Sequence, residues 1–263
     1  MKAVILCGGQ GTRIRDVADD IPKPMIRIGE RPILWHIMQT YAAARITDFV
    51  LCLGYKSWSI KEYFLNFHAQ VADITVCPGR PGEVDFHGDF PERDWRIELV
   101  ETGVAAQTGA RLWRVRDRLA VDELFCLTYG DGVADIDVGD VVAFHRSHGR
   151  IGTVTGVRPP GRFGVMTIGE AVGHGARVTT FAEKPQAGEG LINGGFFVFD
   201  ARVFEYLSDD SGLIFEAEPL QRLAQDGQLM LFRHDGFWQP MDTYREFRLL
   251  NDLWESGKAP WQR

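Results

Sequence analysis

The stretch MKAVILCGGQGTR, residues 1–13, decides how the rest of the chain is read. An apolar run from Ala3 to Leu6 reaches Cys7 and stops at Gly8 and Gly9, then passes Gln10 to Gly11, Thr12 and Arg13. Apolar residues that end in clustered glycines predict a buried strand running into a loop whose backbone turns tightly or approaches something closely. Exposed N–H groups beside a cation suit an oxyanion such as phosphate. A tight turn without a ligand gives the same pattern. The loop lacks the Lys-Ser/Thr of a P-loop and the third glycine of a dinucleotide fingerprint, so both assignments fail.

Outward from this strand, strand-like and helix-like runs alternate. After Pro32, ILWHIMQTYAAA places Ile33, Ile37 and Tyr41 four apart as an amphipathic helix does, and DFVLCLGYK follows as a buried strand. SWSIKEYFLNF predicts a helix, ADITVC and WRIELV strands, TGARLWRVRDRL a helix, and LFCLTYGDG a further strand. This order predicts an α/β fold with a mainly parallel sheet covered by helices on both faces, with ligands at the carboxyl ends of the strands. From about Ile151, IGTVTGV and FGVMTI flank the turn-like RPPGR, predicting an extension of the sheet and a small antiparallel portion. FEAEPLQRLAQDG, ending at Gly227, and MDTYREFRLLNDLWESG, ending at Gly257, predict the last helices. The stretch from Pro78 to Asp94 reads as a solvated loop, with subunit contact as the alternative.

With 263 residues, 45% of them hydrophobic, the chain can bury a substantial core. A formal net charge of -7 argues against general attraction to nucleic acid or anionic membrane, so a phosphate-bearing substrate must meet a local cluster of cations. Cys7, Cys52, Cys77 and Cys126 lack metal-ligand spacing and predict reduced thiols in a cytoplasmic protein. No run is apolar for long enough to span a bilayer, and the start enters a strand without a cleavage pattern.

Several constellations carry chemistry, each with a plainer alternative. Lys23 lies between Pro22 and Pro24, which limit where its ammonium can go; it is an anion contact together with Arg13 or a solvated turn lysine. Asp131, flanked by Gly130 and Gly132 after a buried strand, is placed to hold a divalent cation or to make an Asp-Gly turn. Asp242, in FWQPMDT, is a second such carboxylate or a helix cap. Glu183 and Lys184 in FAEKP, and Asn193 and Gly194 in NGGFF, suit a sugar and its phosphate, or two ordinary turns. In ETGVAAQTGARLWR, Thr108 and Gly109 can meet a base edge and Arg111 a phosphate, or Thr108 caps a helix on which Arg111 is solvated.

Taken in order, GGQGTR, PKPM, TYGDG, EKP, NGG and the late Asp242 resemble the sugar-1-phosphate nucleotidylyltransferases, from Met1 to about Trp261. CLTYGDG, PPGRFG, INGGFF, EPL, GFWQPMDT and SGKAPW are similar to the branch that uses CTP and glucose 1-phosphate. The resemblance implies a Rossmann-like core of the nucleotide-diphospho-sugar transferase type in one domain, 1–263, with a nucleotide-binding part over roughly 1–150 and a sugar-phosphate part over roughly 151–263. It implies Mg2+-dependent in-line attack of α-D-glucose 1-phosphate on the α-phosphorus of CTP, giving CDP-glucose and pyrophosphate. Leu6, Cys7, Gly8, Gly9, Gln10, Gly11, Thr12, Arg13, Lys23, Ala106, Thr108, Gly109, Arg111 and Gly130 would border the nucleotide. Asp131 and Asp242 would hold the metal, and Glu183, Lys184, Asn193 and Gly194 the sugar phosphate. Arg13, Lys23, Asp131 and Asp242 would be the catalytic set, and a homo-oligomer, up to a hexamer, the assembly. Rivals are the same reaction on another nucleotide or sugar, and a silent nucleotide-sugar-binding subunit. The sequence departs from the family pattern at Ala110, where glycine is usual, and in a long segment from Gly169 to Arg177.

Overall fold

The computed structural model of the protein describes residues 1–9, 21–80, 82–119, 124–159, 165–172, 175–182 and 190–262. The expected site residues Gln10, Gly11, Thr12, Arg13, Glu183 and Lys184 lie outside the described residues.

The chain enters as β1 (Lys2–Leu6); a 3-10 turn at Lys23–Met25 and short strands β2 (Arg27–Ile28) and β3 (Arg31–Pro32) precede α1 (Ile33–Ala43). Next come β4 (Asp48–Leu53), α2 (Ser57–Leu65), α3 (Phe67–Val71), β5 (Asp73–Val76), β6 (Val84–His87) and β7 (Arg96–Glu101). Helices α4 (Thr108–Arg114) and α5 (Arg116–Leu119) lead to β8 (Leu124–Tyr129), β9 (Gly132–Ala134) and α6 (Val138–His148). The remainder comprises β10 (Gly152–Val157), β11 (Val165–Val172), β12 (Gly175–Ala182), β13 (Ile192–Asn193), β14 (Phe197–Asp200), α7 (Glu218–Gln225), β15 (Leu229–His234), β16 (Trp238–Pro240) and α8 (Tyr244–Glu255).

The central sheet runs β13-β10-β14-β8-β1-β4-β7, with β15 paired to β10. β1 is parallel to both β4 and β8, and β7 is parallel to β4, so these four strands end on one side. β14 is antiparallel to β8 and to β10, which carries the sheet into the second half of the chain. This is the mixed, largely parallel sheet that the alternating pattern predicts. The strand period of two separates its faces. Ala3, Ile5, Phe49 and Leu51 meet α1, α6 and α8, while Val4, Leu6, Val50 and Cys52 meet α4, α5 and α7. Burial on both faces explains why β1 and β4 read as unbroken apolar runs. Cys7, Cys52 and Cys126 are buried and all the cysteines are free, as expected.

One expectation needs correction. β5 pairs antiparallel with β6 outside the central sheet, so ADITVC is half of a hairpin and the span from Pro78 to Asp94 contains its return strand. ITV and VDF alternate apolar and polar residues and pair with each other, which leaves Ile74, Val76, Val84 and Phe86 exposed. The sequence reading also passes over α6, although Asp137 caps its start through Gly139 N–H at 2.8 Å and Gly149 ends it at φ +64. Among the described residues β11 and β12 pair only with each other, as the expected antiparallel portion.

Buried imidazoles are tied into this scaffold by hydrogen bonds. His36 Nδ1 accepts from Trp261 Nε1–H at 3.3 Å, so its Nε2–H donates to Ile28 O at 3.0 Å. Burial pushes its pKa from 6.5 to about 4, with Arg31 adding to the effect against the Ile28 carbonyl. His148 Nδ1 accepts from Arg150 N–H, its Nε2–H donates to Thr153, and the Thr153 hydroxyl donates to His145 Nδ1 at 2.9 Å. Burial, then the neighbouring His148, pushes His145 to about 4. Below 6.5 the unfolded chain takes up protons that folded His36 and His145 refuse, so their contribution to stability should fall as pH drops from 6.5 to about 4 and change no further beneath that. Urea midpoints across that range should show the slope, and His36→Gln should flatten it; an unchanged slope would remove His36 from the cause.

Candidate active site

Parallel pairing gathers loops at one sheet edge. Leu6 is in register with Tyr129 on β8 and with Cys52 on β4, so Gly8, Gly54 and the Gly130-Asp131 turn converge there. Gly130 N–H donates to Leu6 O at 3.1 Å, and a Cβ on Gly130 would stand 3.0 Å from Pro24 and 3.1 Å from that carbonyl. Leu6, Cys7, Gly8, Gly9, Lys23, Ala106, Thr108, Arg111, Tyr129, Gly130, Asp131 and Asp242 are among the residues lining a cleft of about 480 Å³.

Asp131 and Asp242 reach this cleft through a second small sheet. β9 pairs antiparallel with β16, Gly132 opposite Pro240, and Met241 N–H donates to Asp131 O at 2.8 Å. That register sets two carboxylates from distant parts of the chain side by side. The helix that follows is capped by its own box: Thr243 Oγ1 accepts from Glu246 N–H, and Glu246 Oε2 accepts from the N–H groups of Asp242 and Thr243. The cap therefore belongs to Thr243, and the Asp242 carboxylate is turned to Lys23 instead.

Lys23 joins the pair. Its Nζ donates to Asp131 Oδ2 at 2.7 Å and to Asp242 Oδ1, across sequence separations of 108 and 219 residues. The Lys23 side chain is only 12% exposed. Burial alone would lower its pKa, but the Asp131 charge and the hydrogen bonds to both aspartates outweigh that and raise it, so the ammonium stays charged. Asp131 and Asp242 offer hard oxygen donors within reach of one cation, the donor chemistry that Mg2+ takes. Among the described residues no cluster of three or more metal-ligating side chains occurs.

Arg111 occupies a different kind of place. It is 4% exposed; Nη1 donates to Leu53 O at 2.9 Å and Thr102 Oγ1 at 2.8 Å, and Nη2 donates to Gly8 O at 3.0 Å. The guanidinium thus ties the end of β4 to the glycine turn after β1 while lining the cleft. Thr108 opens α4 without capping it: its hydroxyl donates to Glu216 Oε2 at 2.6 Å and accepts from Phe215 N–H at 2.9 Å. Gly109 is bare for the sake of Leu213, whose carbonyl accepts its N–H at 2.9 Å and would lie 2.9 Å from an added Cβ. Ala110 is fully buried in α4 and outside the cleft lining.

Asn193 and Gly194 also lie outside the cleft lining, joined to it by Tyr129, whose hydroxyl accepts from Asn193 Nδ2 at 3.0 Å. Trp238 Nε1–H holds Gly194 O at 2.8 Å, and the following Gly195 takes φ +79. Sequence reasoning missed Tyr129, Glu216 and Trp238. Tyr129 and Trp238 stand inside quoted motifs, and no spacing marks Glu216.

A family model described as Nucleotidyl transferase matches residues 2–248. Curated proteins named glucose-1-phosphate cytidylyltransferase, from Salmonella typhimurium and Salmonella typhi, are each 47% identical to this chain over 262 residues, covering 100% of it and 99% of their own length. Among solved structures, UDP-glucose pyrophosphorylase complexed with UDP-glucose superposes with a TM-score of 0.68 at 14% identity, over 97% of this chain and 98% of its own, a likeness of fold.

The packing under the glycine turn gives a direct test. A Cβ on Gly8 would stand 2.1 Å from Arg111 Cζ and Nη1, whereas one on Gly9 meets nothing within 4 Å among the described residues. Gly8→Ala should cost roughly 2–3 kcal/mol as the buried guanidinium leaves its carbonyls, and Gly9→Ala should stay within about 0.5 kcal/mol of wild type. Urea unfolding of both variants decides it; equal effects would refute the packing account.

Proposed function

The chain belongs to the nucleotidyl transferase family, and from that premise we propose that it transfers the cytidylyl group of CTP to α-D-glucose 1-phosphate, giving CDP-glucose and pyrophosphate. The observation that carries this reading is the convergence of Lys23, Asp131 and Asp242 at the floor of a cleft walled by the glycine turn after β1.

The chemistry needs little more than placement and charge. A sugar phosphate is already an anionic nucleophile at neutral pH, so no general base is required. One of its oxygens forms a bond to the α-phosphorus of CTP as the bond to the β-phosphate oxygen breaks, and pyrophosphate leaves with its electron pair. The barrier lies in bringing two polyanions together, which cations fixed beforehand relieve. Lys23 supplies one such cation, held in place by its two carboxylate partners. Asp131 and Asp242 would hold Mg2+, which supplies neutralisation of the triphosphate charge when bound. Leu6 to Gly9, Ala106, Thr108, Arg111 and Gly130 would border the nucleotide. Arg13 and Lys184 would complete the cation set, with Glu183, Asn193 and Gly194 around the sugar.

Free cysteines support a cytoplasmic setting. Among the described residues, no helix is long and apolar enough to cross a membrane. The exposed Ile74, Val76, Val84 and Phe86 of the β5–β6 hairpin support a homo-oligomer.

Purified protein with Mg2+, offered CTP, UTP, dTTP, GTP or ATP against a panel of sugar 1-phosphates, should release pyrophosphate fastest with CTP and glucose 1-phosphate. A clear preference for another pair would overturn the substrate assignment, and no turnover at all would overturn the enzyme. Asp131→Asn and Asp242→Asn should each lower kcat by roughly 100- to 1,000-fold with little change in melting temperature; full activity in either would remove that carboxylate from the proposed metal site.

A further inference from the structure

A directed chain of hydrogen bonds crosses from the cleft to the turn at 193–196. Thr108 Oγ1 and Tyr129 OH each donate to Glu216, to Oε2 and Oε1, both at 2.6 Å. Tyr129 OH has only one proton, so toward Asn193 Nδ2, at 3.0 Å, it accepts. That sets the orientation of the amide, whose Oδ1 accepts from Gly195 N–H at 2.9 Å. One carboxylate, accepting from both hydroxyls, therefore fixes the sense of every bond from α4 to a turn in which Gly195 and Phe196 both take positive φ. Burial, then the charge of Glu216, raises the Tyr129 pKa, which keeps the phenol protonated and donating.

Thr108 and Tyr129 line the cleft, whereas Glu216 does not. Its carboxylate sits behind two cleft residues that come from different segments, and its hydrogen bonds go to Thr108 and Tyr129 and not to Lys23, Asp131 or Asp242. We propose that Glu216 is a positioning residue of the transfer reaction: through Tyr129 it holds the Asn193–Gly195 turn against the cleft and so sets where the sugar 1-phosphate lies relative to the nucleotide. This rests on the cytidylyltransferase reading given above.

A glutamine at 216 keeps the size but offers one acceptor oxygen and an NH2 group. One hydroxyl would then face a donor, and the direction of the chain beyond Tyr129 would no longer be fixed. Steady-state kinetics of wild type, Glu216→Gln, Tyr129→Phe and the double variant, with CTP and glucose 1-phosphate varied separately, test the proposal beside melting temperatures. Glu216→Gln should lower kcat about 10- to 100-fold and raise KM for glucose 1-phosphate more than KM for CTP, which its bond to Thr108 also touches. Tyr129→Phe should do the same, and the double variant should be no worse than either single one. If wild type fails to turn over this substrate pair, the functional reading is at fault. If wild type is active and Glu216→Gln matches it, or both KM values rise alike with a lowered melting temperature, or the two effects simply add, Glu216 has no positioning role.

Discussion

The structure depends on β1 being buried on both faces with a parallel neighbour on each edge. A parallel pair cannot be closed by a hairpin, so each connection must cross over a face of the sheet before returning. Those crossovers bring α1 to one face and α4 with α5 to the other, and they leave the carboxyl ends of β1, β4 and β8 together. The glycine turn, the Gly130-Asp131 turn and the start of α4 are neighbours for that reason alone. The short β9–β16 pairing then adds the late carboxylate, because its register sets Asp242 beside Asp131.

An acidic chain that handles phosphates must place its cations with care. With a net charge of -7, diffuse attraction is unfavourable, so each positive group at the cleft needs its own local support. Lys23 and Arg111 solve this differently. Lys23 is held by two charges and keeps its ammonium on the cleft floor. Arg111 is held by carbonyls and a hydroxyl, so its fork shapes the turn while its charge stays beneath it. One is a charge placed at the cleft floor; the other stiffens the cleft wall.

Sequence made the central strands legible because burial on both faces leaves an unbroken apolar run, and it made the last helix legible because its apolar period ends at Gly257. It also singled out Lys23, Asp131 and Asp242, though it could not show that they meet, since separations of 108 and 219 residues carry no spacing signal. α6 was readable: Val138, Val141, Val142 and His145 repeat at helical spacing between Asp137 and Gly149. The partner of β5 was not, because alternation marks a strand without naming its neighbour. The surroundings of Arg111 were hidden for a related reason. Whether an arginine faces carbonyls or solvent depends on three segments packing together, and no one of them reveals it.

Tyr129 marks the point at which the two halves of the site become one. Its backbone belongs to β8, one residue before the Gly130-Asp131 turn, and its side chain reaches Asn193 and Glu216 from later in the chain. A strand end placed by register therefore also anchors the turn that the sheet alone would leave loosely held. Glycine at 195 permits the positive φ there, but permission is not preference: a bare residue samples many conformations, and something must select one. The bond from Gly195 N–H to Asn193, steadied through Tyr129 by the Glu216 carboxylate, makes that selection. Polar connectivity thus holds the turn at 193–196, where buried strands and a buried guanidinium hold the turn after β1.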